Sequence, residues 1–373
     1  MKEQVIELSG ETERDRWNAF VARWPDFELM QSFEWGELKK AQGWQVVRLA
    51  VEQNGQLVAG AQMLIKSLPL GLASVAYIPR GPLLDWEDES SVNALMSALH
   101  ASARQYRAIS LKIEPAIRYS SAIQQQLEAY GFRRSDFNNQ PQCTMLIDLR
   151  PDTDTLLANM QKSTRYNIGY STRKGVVVRE ATADDLDSFC DILEFTAQKA
   201  GFPARSREYY HQEWHALAPF GYVKLFLALY EGETIAVRMP AAFGNIAATL
   251  HSGSLSAYRK LKPNELLMWE SMKWAKSRGC TIYDVWGIPD EIGEHEQAGV
   301  PLPEDQTGGL WGVYRFKRGF GGDMVYYVGA YDWVYSPRLH WLMDMTVSRL
   351  GSLDKLARLG DRLDLRSERS ADM

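Results

Sequence analysis

A strand, tight turn, strand pattern occurs twice along the chain, at a long interval. Residues 49–60 (LAVEQNGQLVAG) place short β-prone runs on either side of Asn54-Gly55, a strong short-range hairpin signal. Residues 227–236 (LALYEGETIA) read the same way, with Gly232 standing 177 positions after Gly55. A third strand follows each hairpin, at 73–78 and at 247–251. After a loop, apolar positions recur at helical spacing: Val92, Leu95, Met96 and Leu99 in one copy, Leu266, Leu267, Trp269, Met272 and Trp274 in the other. Strands at 109–114 and 281–288 close each copy, and helical segments at 13–23 and 184–199 precede them. The pattern predicts an α/β (α+β) protein made of two repeats, each a mostly antiparallel sheet flanked by helices.

The first domain is expected over 1–150, completed by 321–338, and the second over 151–320. A helical tail is expected over 339–373, with an amphipathic helix at 339–350, a more charged one at 353–365, and disorder after Arg366. No sustained heptad run predicts a coiled-coil arm. With 45% hydrophobic residues, 373 residues suffice for packed cores. A net charge of −5 argues against broad coating of nucleic acid, although a local basic groove is compatible with it. Cys143, Cys190 and Cys280 lie far apart without metal-ligand spacing, as free thiols in a reducing compartment do. Neither a signal peptide nor a bilayer-long apolar run is read, so a cytoplasmic location is expected, with peripheral contact at the inner membrane face as a further option.

The richest stretch for chemistry is 308–322 (GGLWGVYRFKRGFGG). Its aromatic, β-prone composition predicts a strand, which would send Arg315 and Lys317 to one face and Tyr314, Phe316 and Arg318 to the other. Two cations on one face suit an anion: a phosphate, a carboxylate or a developing oxyanion. They equally suit an edge strand charged against aggregation.

The order helix, hairpin, strand, loop, helix, strand is that of the acetyltransferase-like (GNAT) fold. In that family a glycine-rich loop after the third of these strands holds the coenzyme A pyrophosphate at a helix N-terminus. Here the slots read SAYRKLKPNE (256–265) and PRGPLLD (79–85), without the glycine spacing and with prolines that lack an amide donor. Coenzyme A is therefore not expected, and no cofactor or metal is.

Five segments carry a more specific likeness: QSFEWGELKK (31–40), YIPRGP (77–82), KSTRYNI (162–168) with RKGV (173–176), YDVWGI (283–288), and the stretch 308–322. In this order, on a duplicated GNAT-like scaffold, they resemble the Fem family of peptidoglycan-bridge aminoacyltransferases. The resemblance covers roughly residues 15–335. It implies transfer of an amino acid (Gly, Ala or Ser) from aminoacyl-tRNA to the side-chain amine of the third stem-peptide residue of a cell-wall precursor. That acceptor is UDP-MurNAc-pentapeptide or its lipid-linked form, lipid II. By the same resemblance Lys317 stabilises the oxyanion, with Phe316 beside it at the donor site. Lys39 and Arg205 grip the acceptor diphosphate, and Tyr209 contacts the acceptor. His251 stands where some members carry tyrosine, so its pocket differs or it is simply structural. Glu114 occupies the place of a proposed general base; read alone, it is a strand-end carboxylate paired with Lys112 or an arginine. Lys162, Arg165, Arg173 and Lys174, with Tyr166 among them, read as contacts to tRNA or as a solvated helix face. Two rival functions remain open at this point: an N-acyltransferase using a thioester, and a non-catalytic module that binds precursor.

Overall fold

The computed structural model describes residues 3–26, 28–68, 71–201, 204–302, 306 and 309–350. They fall into two units, one built from the segments before residue 25, 30–140 and after 326, the other from 25–29 and 141–326.

In the first unit β1 (Glu3–Glu7) pairs with β2 (Gln45–Gln53), which turns into β3 (Gln56–Ser67). Asn54 and Gly55 at that turn have φ of 53° and 83°. Left-handed backbone at both central positions is the turn whose twist matches that of its strands. β4 (Ser74–Pro79) lies antiparallel to β3 and parallel to β5 (Ala108–Glu114). Past β5 come β14 (Tyr331–Val334) and β6 (Arg133–Arg134), both antiparallel. The sheet order is β1-β2-β3-β4-β5-β14-β6.

The second unit repeats this order place for place. β8 (Val177–Glu180), β9 (Phe226–Tyr230), β10 (Glu233–Phe243) and β11 (Ile246–Ser254) are antiparallel neighbours, and β11 runs parallel to β12 (Ile282–Asp284). β7 (Cys143–Asp148) and β13 (Asp323–Tyr326) follow, both antiparallel, so the order reads β13-β7-β12-β11-β10-β9-β8. Its hairpin turns through Glu231 and Gly232 at φ of 51° and 86°. In each sheet the strand beyond the parallel pair comes from the far end of the other half: β14 for the first, β7 for the second. The parallel pairs differ. β4 and β5 stay in register to Pro79↔Glu114, whereas β11 and β12 part after Ala248↔Asp284.

Helices cover the first sheet: α1 (Arg14–Val21), α2 (Phe33–Ala41), α3 (Glu89–Gln105) and α4 (Ser121–Ala129). The apolar stripe of α3, Val92, Leu95, Met96 and Leu99, enters one core with Val51, Met63, Ile78, Leu111 and Ile113. Full burial of such a side chain is worth about 1.5–3 kcal/mol. α2 starts at the Ser32 cap, whose hydroxyl accepts from Trp35 N at 3.1 Å. Behind it Arg48, 1% exposed, donates to Gln62 Oε1 (2.7 Å), Phe33 O (2.9 Å) and Glu37 Oε1 (3.0 Å). Gly36 leaves room for that network.

The second unit adds α5 (Thr153–Asn159), α6 (Lys162–Arg173), α7 (Leu186–Ala200), α8 (Arg207–Leu217), α9 (Pro263–Ser277), α10 (Asp290–Gln297) and α11 (Gly309–Arg318). α7 and α9 pack on β10 and β11, and α6 packs on α9. After these comes α12 (Pro337–Leu350) of the first unit, which buries Met343 beside Val75 and Ile109. The expected helix at 353–365 and the residues after Arg366 lie outside the described residues. Among the described residues no helix is long and apolar enough to cross a membrane.

Two expectations fail. Residues 309–318 form the helix α11, not a strand. Leu310, Val313, Tyr314 and Lys317 fall at helical spacing, and that period overrides the β propensity of the aromatics. Arg315, Lys317 and Arg318 occupy the last turn, where cations oppose the negative end of the helix dipole. Positions two apart on a helix differ by about 200°, so Arg315 and Lys317 point to opposite sides. The strand expected over 281–288 is also cut short, because an irregularity interrupts it after Asp284.

A Cβ on Gly36 would stand 2.2 Å from both Arg48 Nη2 and Gln62 Oε1. Gly36→Ala is therefore expected to destabilise the first unit by about 1–3 kcal/mol, the usual range for overpacking. A lowered urea midpoint of that unit's transition checks it; an unchanged midpoint would mean the network has slack.

Candidate functional site

Lys317 occupies a built seat in the second unit. The β12 line does not stop at Asp284 but makes an irregular step. Val285 N donates to Met145 O (3.1 Å), and the next such bond on β7 comes from Ile288 N to Cys143 O (3.0 Å). Three residues on one side thus span two on the other, which is a β-bulge. Trp286 takes the extra length at φ 65°. The carbonyls of Trp286 and Gly287 accept from Lys317 Nζ at 2.8 and 2.7 Å. Asp284, 2% exposed, accepts from Trp286 N at 2.7 Å and from the Thr144 hydroxyl.

Desolvation pulls the Lys317 pKa down from 10.5 to about 7. The nearby Asp284 carboxylate opposes that fall, and Arg238 adds to it. Arg238 is 3% exposed on β10 and donates to Thr249 Oγ1 at 2.9 Å, whose oxygen stands 3.0 Å from Tyr283 OH. Burial also lowers the guanidinium's pKa, against the pull of Tyr283. Phe316 lies beside Lys317 in sequence, its ring 5.2 Å from that of Phe320. Arg315 turns away and donates to Gln306 O at 2.7 Å.

A second cluster joins three of the expected residues. Arg205 lies over the Tyr209 ring at 4.9 Å. Tyr209 OH is 3.5 Å from Glu213 Oε1, and His251 Nε2 is 2.7 Å from Glu213 Oε2. Glu213 is 1% exposed and joins the group through the i, i+4 spacing of α8. Tyr210 and Phe189 enclose the imidazole edge-on, at 5.1 and 6.4 Å.

The basic residues of α6 separate into two kinds. Arg165 donates to Ala158 O (2.6 Å) and Met160 O (2.7 Å), so it closes the C-terminal end of α5. Lys162, Arg173 and Lys174 are exposed. Tyr166 and Tyr170 stack at 5.8 Å, with Arg173 over the first ring (5.6 Å) and Lys174 over the second (5.5 Å).

Lys39 and Glu114 belong to the first unit. Lys39 shares a face of α2 with Trp35, 5.0 Å from its ring, and donates to Gln42 Oε1 at 2.8 Å. Glu114 ends β5, 4% exposed, and accepts from Tyr77 OH and from Asn139 N and Gln140 N. Burial raises its pKa against those three donors. Lys112, one of the partners that sequence offered for it, binds Asp332 at 3.0 Å and reaches Glu114 through its charge. At the third-strand loop of the second unit, Lys262 stands at φ 60° and Pro263 opens α9 without an amide to offer.

The sequence profile of the FemAB family matches residues 12–228 and 226–346. The chain belongs to that family. Among its relatives, Lipid II:glycine glycyltransferase of Staphylococcus aureus (strain USA300) is 23% identical over 411 residues, across 89% of this chain and 94% of that protein. The crystal structure of FemX has a TM-score of 0.79 at 22% identity and covers 92% of this chain and 99% of its own. A tandem GNAT protein from the clavulanic acid pathway has a TM-score of 0.55 at 13% identity, covering 90% and 99%. These likenesses establish the duplicated GNAT-like fold in this FemAB chain.

Sequence reasoning left out Glu213, Arg238 and Asp284 as functional residues. Arg238 had a signal: one charge inside the apolar strand run Ala236, Val237, Met239. Asp284 stood in a quoted motif, but only the bulge gives its carboxylate a task.

A lysine whose pKa falls from 10.5 unfolded to about 7 folded binds fewer protons than the open chain between those values. Stability then rises with pH across that window, and the burial penalty is felt in full below it. Lys317→Met should accordingly stabilise the protein most below pH 7, with a gain that shrinks toward pH 10. Urea unfolding across that range checks the sign, and a gain independent of pH would refute it.

Proposed function

We propose that the chain is an aminoacyltransferase of peptidoglycan-bridge synthesis. It moves glycine, alanine or serine from aminoacyl-tRNA to the side-chain amine of residue 3 in a UDP-linked or lipid-linked precursor. The carrying observation is the end-to-end likeness to a lipid II glycyltransferase in a chain whose Lys317 ammonium is held by two carbonyls.

The reaction needs little more than placement and charge. The amine nitrogen attacks the ester carbonyl carbon, a C–N bond forms, and the carbonyl oxygen becomes an oxyanion. The C–O bond to the ribose then breaks, and the proton shed by the amine ends on the ribose oxygen. Two of the three Lys317 donors are engaged by Trp286 O and Gly287 O, which leaves the third for the oxyanion among the described residues. An ammonium with a pKa near 7 regains proton affinity as the oxyanion forms beside it, so its attraction strengthens in the transition state. Phe316 shapes the donor side. By family likeness Lys39, a point charge, and Arg205, a fork, are each assigned to phosphate of the acceptor. Tyr209 and His251 line the acceptor beside Arg205, their hydroxyl and imidazole set by Glu213. Glu114 is the base assigned by family likeness, and its three donors hold its carboxylate in one orientation.

Lys162, Arg173 and Lys174, with the stacked Tyr166 and Tyr170, serve the acceptor end of tRNA through phosphates and base stacking. Arg165 braces that helix. With a lipid-linked acceptor, the work takes place at the inner membrane face.

The test incubates radiolabelled glycyl-, alanyl- or seryl-tRNA with UDP-linked pentapeptide and with lipid-linked precursor. RNase-sensitive transfer is expected with one pairing, falling about 10²–10³-fold in Lys317→Ala, the usual loss for one oxyanion donor. No transfer with any pairing would sink the reading. Replacing Arg173 and Lys174 by alanine should raise KM for the aminoacyl-tRNA and flatten the salt dependence of that binding, with little change in kcat. An unchanged salt slope would remove α6 from the tRNA site.

A further inference from the structure

The motif YDVWGI (283–288) is used in the reaction above only through two backbone oxygens, yet it contains a buried carboxylate. Asp284 is 2% exposed, and a buried carboxylate is costly unless something nearby needs it. Its partners are informative. Oδ1 accepts the Trp286 amide at 2.7 Å, an i to i+2 bond that closes a local turn. Thr144 on the neighbouring strand β7 donates its hydroxyl to the same oxygen, which ties the turn to the sheet. The turn is the bulge itself, with Trp286 at φ 65°, a conformation that side-chain-bearing residues adopt at a cost. Gly287 lies so close to Pro141 that a Cβ would come within 2.8 Å of its Cγ. The product of this construction is the pair of carbonyls on Lys317 Nζ, at 2.8 and 2.7 Å.

We infer that Asp284 is the positioning residue of Lys317: its carboxylate clamps the Trp286–Gly287 bulge so that both carbonyls face the ammonium, and its negative charge favours the ammonium form. The inference rests on the reading of Lys317 as the oxyanion donor. Two charged groups bear on the lysine from the elements around it, and a tyrosine bears on the second of them. Asp284, on β12, favours the charged form; Arg238, on β10, opposes it; and Tyr283, also on β12, is kept neutral by burial, with its hydroxyl beside Thr249. Asp284 is thus the one carboxylate among them, set against a second buried cation.

Geometry and charge are separable by substitution. Asp284→Asn keeps the size and an oxygen able to accept from Trp286 N but removes the charge. Asp284→Ala removes both. Thr144→Val leaves the charge and loosens the clamp. The experiment measures kcat and KM of the full chain against pH, with whichever aminoacyl-tRNA and precursor pair gives turnover. Because Lys317 acts as the ammonium, kcat of the unaltered chain declines as pH rises through its pKa. In Asp284→Asn this decline should move down by about one pH unit, within the usual reach of a neighbouring opposite charge. Its kcat at neutral pH should drop about tenfold, with both KM values within about twofold. Asp284→Ala should lose about a hundredfold. Thr144→Val should lose a few-fold, with a smaller displacement in the same direction.

An Asp284→Asn enzyme with the parental kcat and pH limb overturns the inference, as does a fall in kcat with no movement of the limb, which a merely structural role would give. If Asp284→Asn does not fold, as read by circular dichroism, Thr144→Val decides: a displaced limb supports the inference and an unmoved one refutes it. Lys317→Ala separates the two levels. If that variant turns over normally, the reading of Lys317 fails and takes the inference with it. If it is inactive while Asp284→Asn behaves as the parent, the inference alone fails.

Discussion

A lysine ammonium stripped of most of its water must be held by something else, and here two backbone carbonyls of a β-bulge do it. Backbone oxygens are weak partners for a full charge compared with a carboxylate, and the seat is therefore poised: the ammonium is held in place but not neutralised. A direct ion pair with Asp or Glu at this spot would have fixed the proton and quenched the field a substrate meets. Instead the carboxylate stands one step back, bonded to the turn that carries the carbonyls. The sheet irregularity, the left-handed tryptophan, the glycine after it and the buried Arg238 all take their meaning from that arrangement.

The two halves share one topology, strand for strand, and differ where chemistry is concentrated. In the first sheet the parallel strands stay paired to their ends, and the carboxylate at the last position, Glu114, accepts from three donors of its own unit. In the second sheet the equivalent pair parts at Asp284, and the strand runs on from there into the bulge. The fold holds two copies of a scaffold, and departure from regular pairing in one copy makes room for a buried lysine held by two carbonyls.

Much of this was legible before any coordinates. Asn54-Gly55 and the turn glycine Gly232 announced their hairpins because few residues accept that backbone, and α3 and α9 declared themselves by the period of their apolar positions. The segment 309–318 misled because its composition and its period disagreed; tryptophan, tyrosine and phenylalanine favour strands, but their spacing satisfies a helix. Its three cations belong together in the last turn of that helix rather than divided between the two faces of a strand. Arg165 illustrates a different limit. Nothing in a string of letters separates an arginine that caps the preceding helix from one that waits for a phosphate, since the distinction lies in where the chain before it ends. Asp284 could not be read at all, because a carboxylate's task depends on which amide lies two residues further on in space.

One consequence of the strand exchange concerns the order in which the molecule is built. Tyr331 of β14 pairs with Ile113 of β5, a contact that closes across more than half the chain. As the polypeptide leaves the ribosome, the first sheet stays open at β5 until the second unit has been synthesised in full. Contacts of such long range carry a large loop-closure entropy and form slowly. In the interval the unpaired edge of β5 offers its amides and carbonyls to any other strand in reach. Early folding is thus a race between assembly of the second unit and capture of that edge, and a chain cut after residue 140 would leave the edge permanently uncovered.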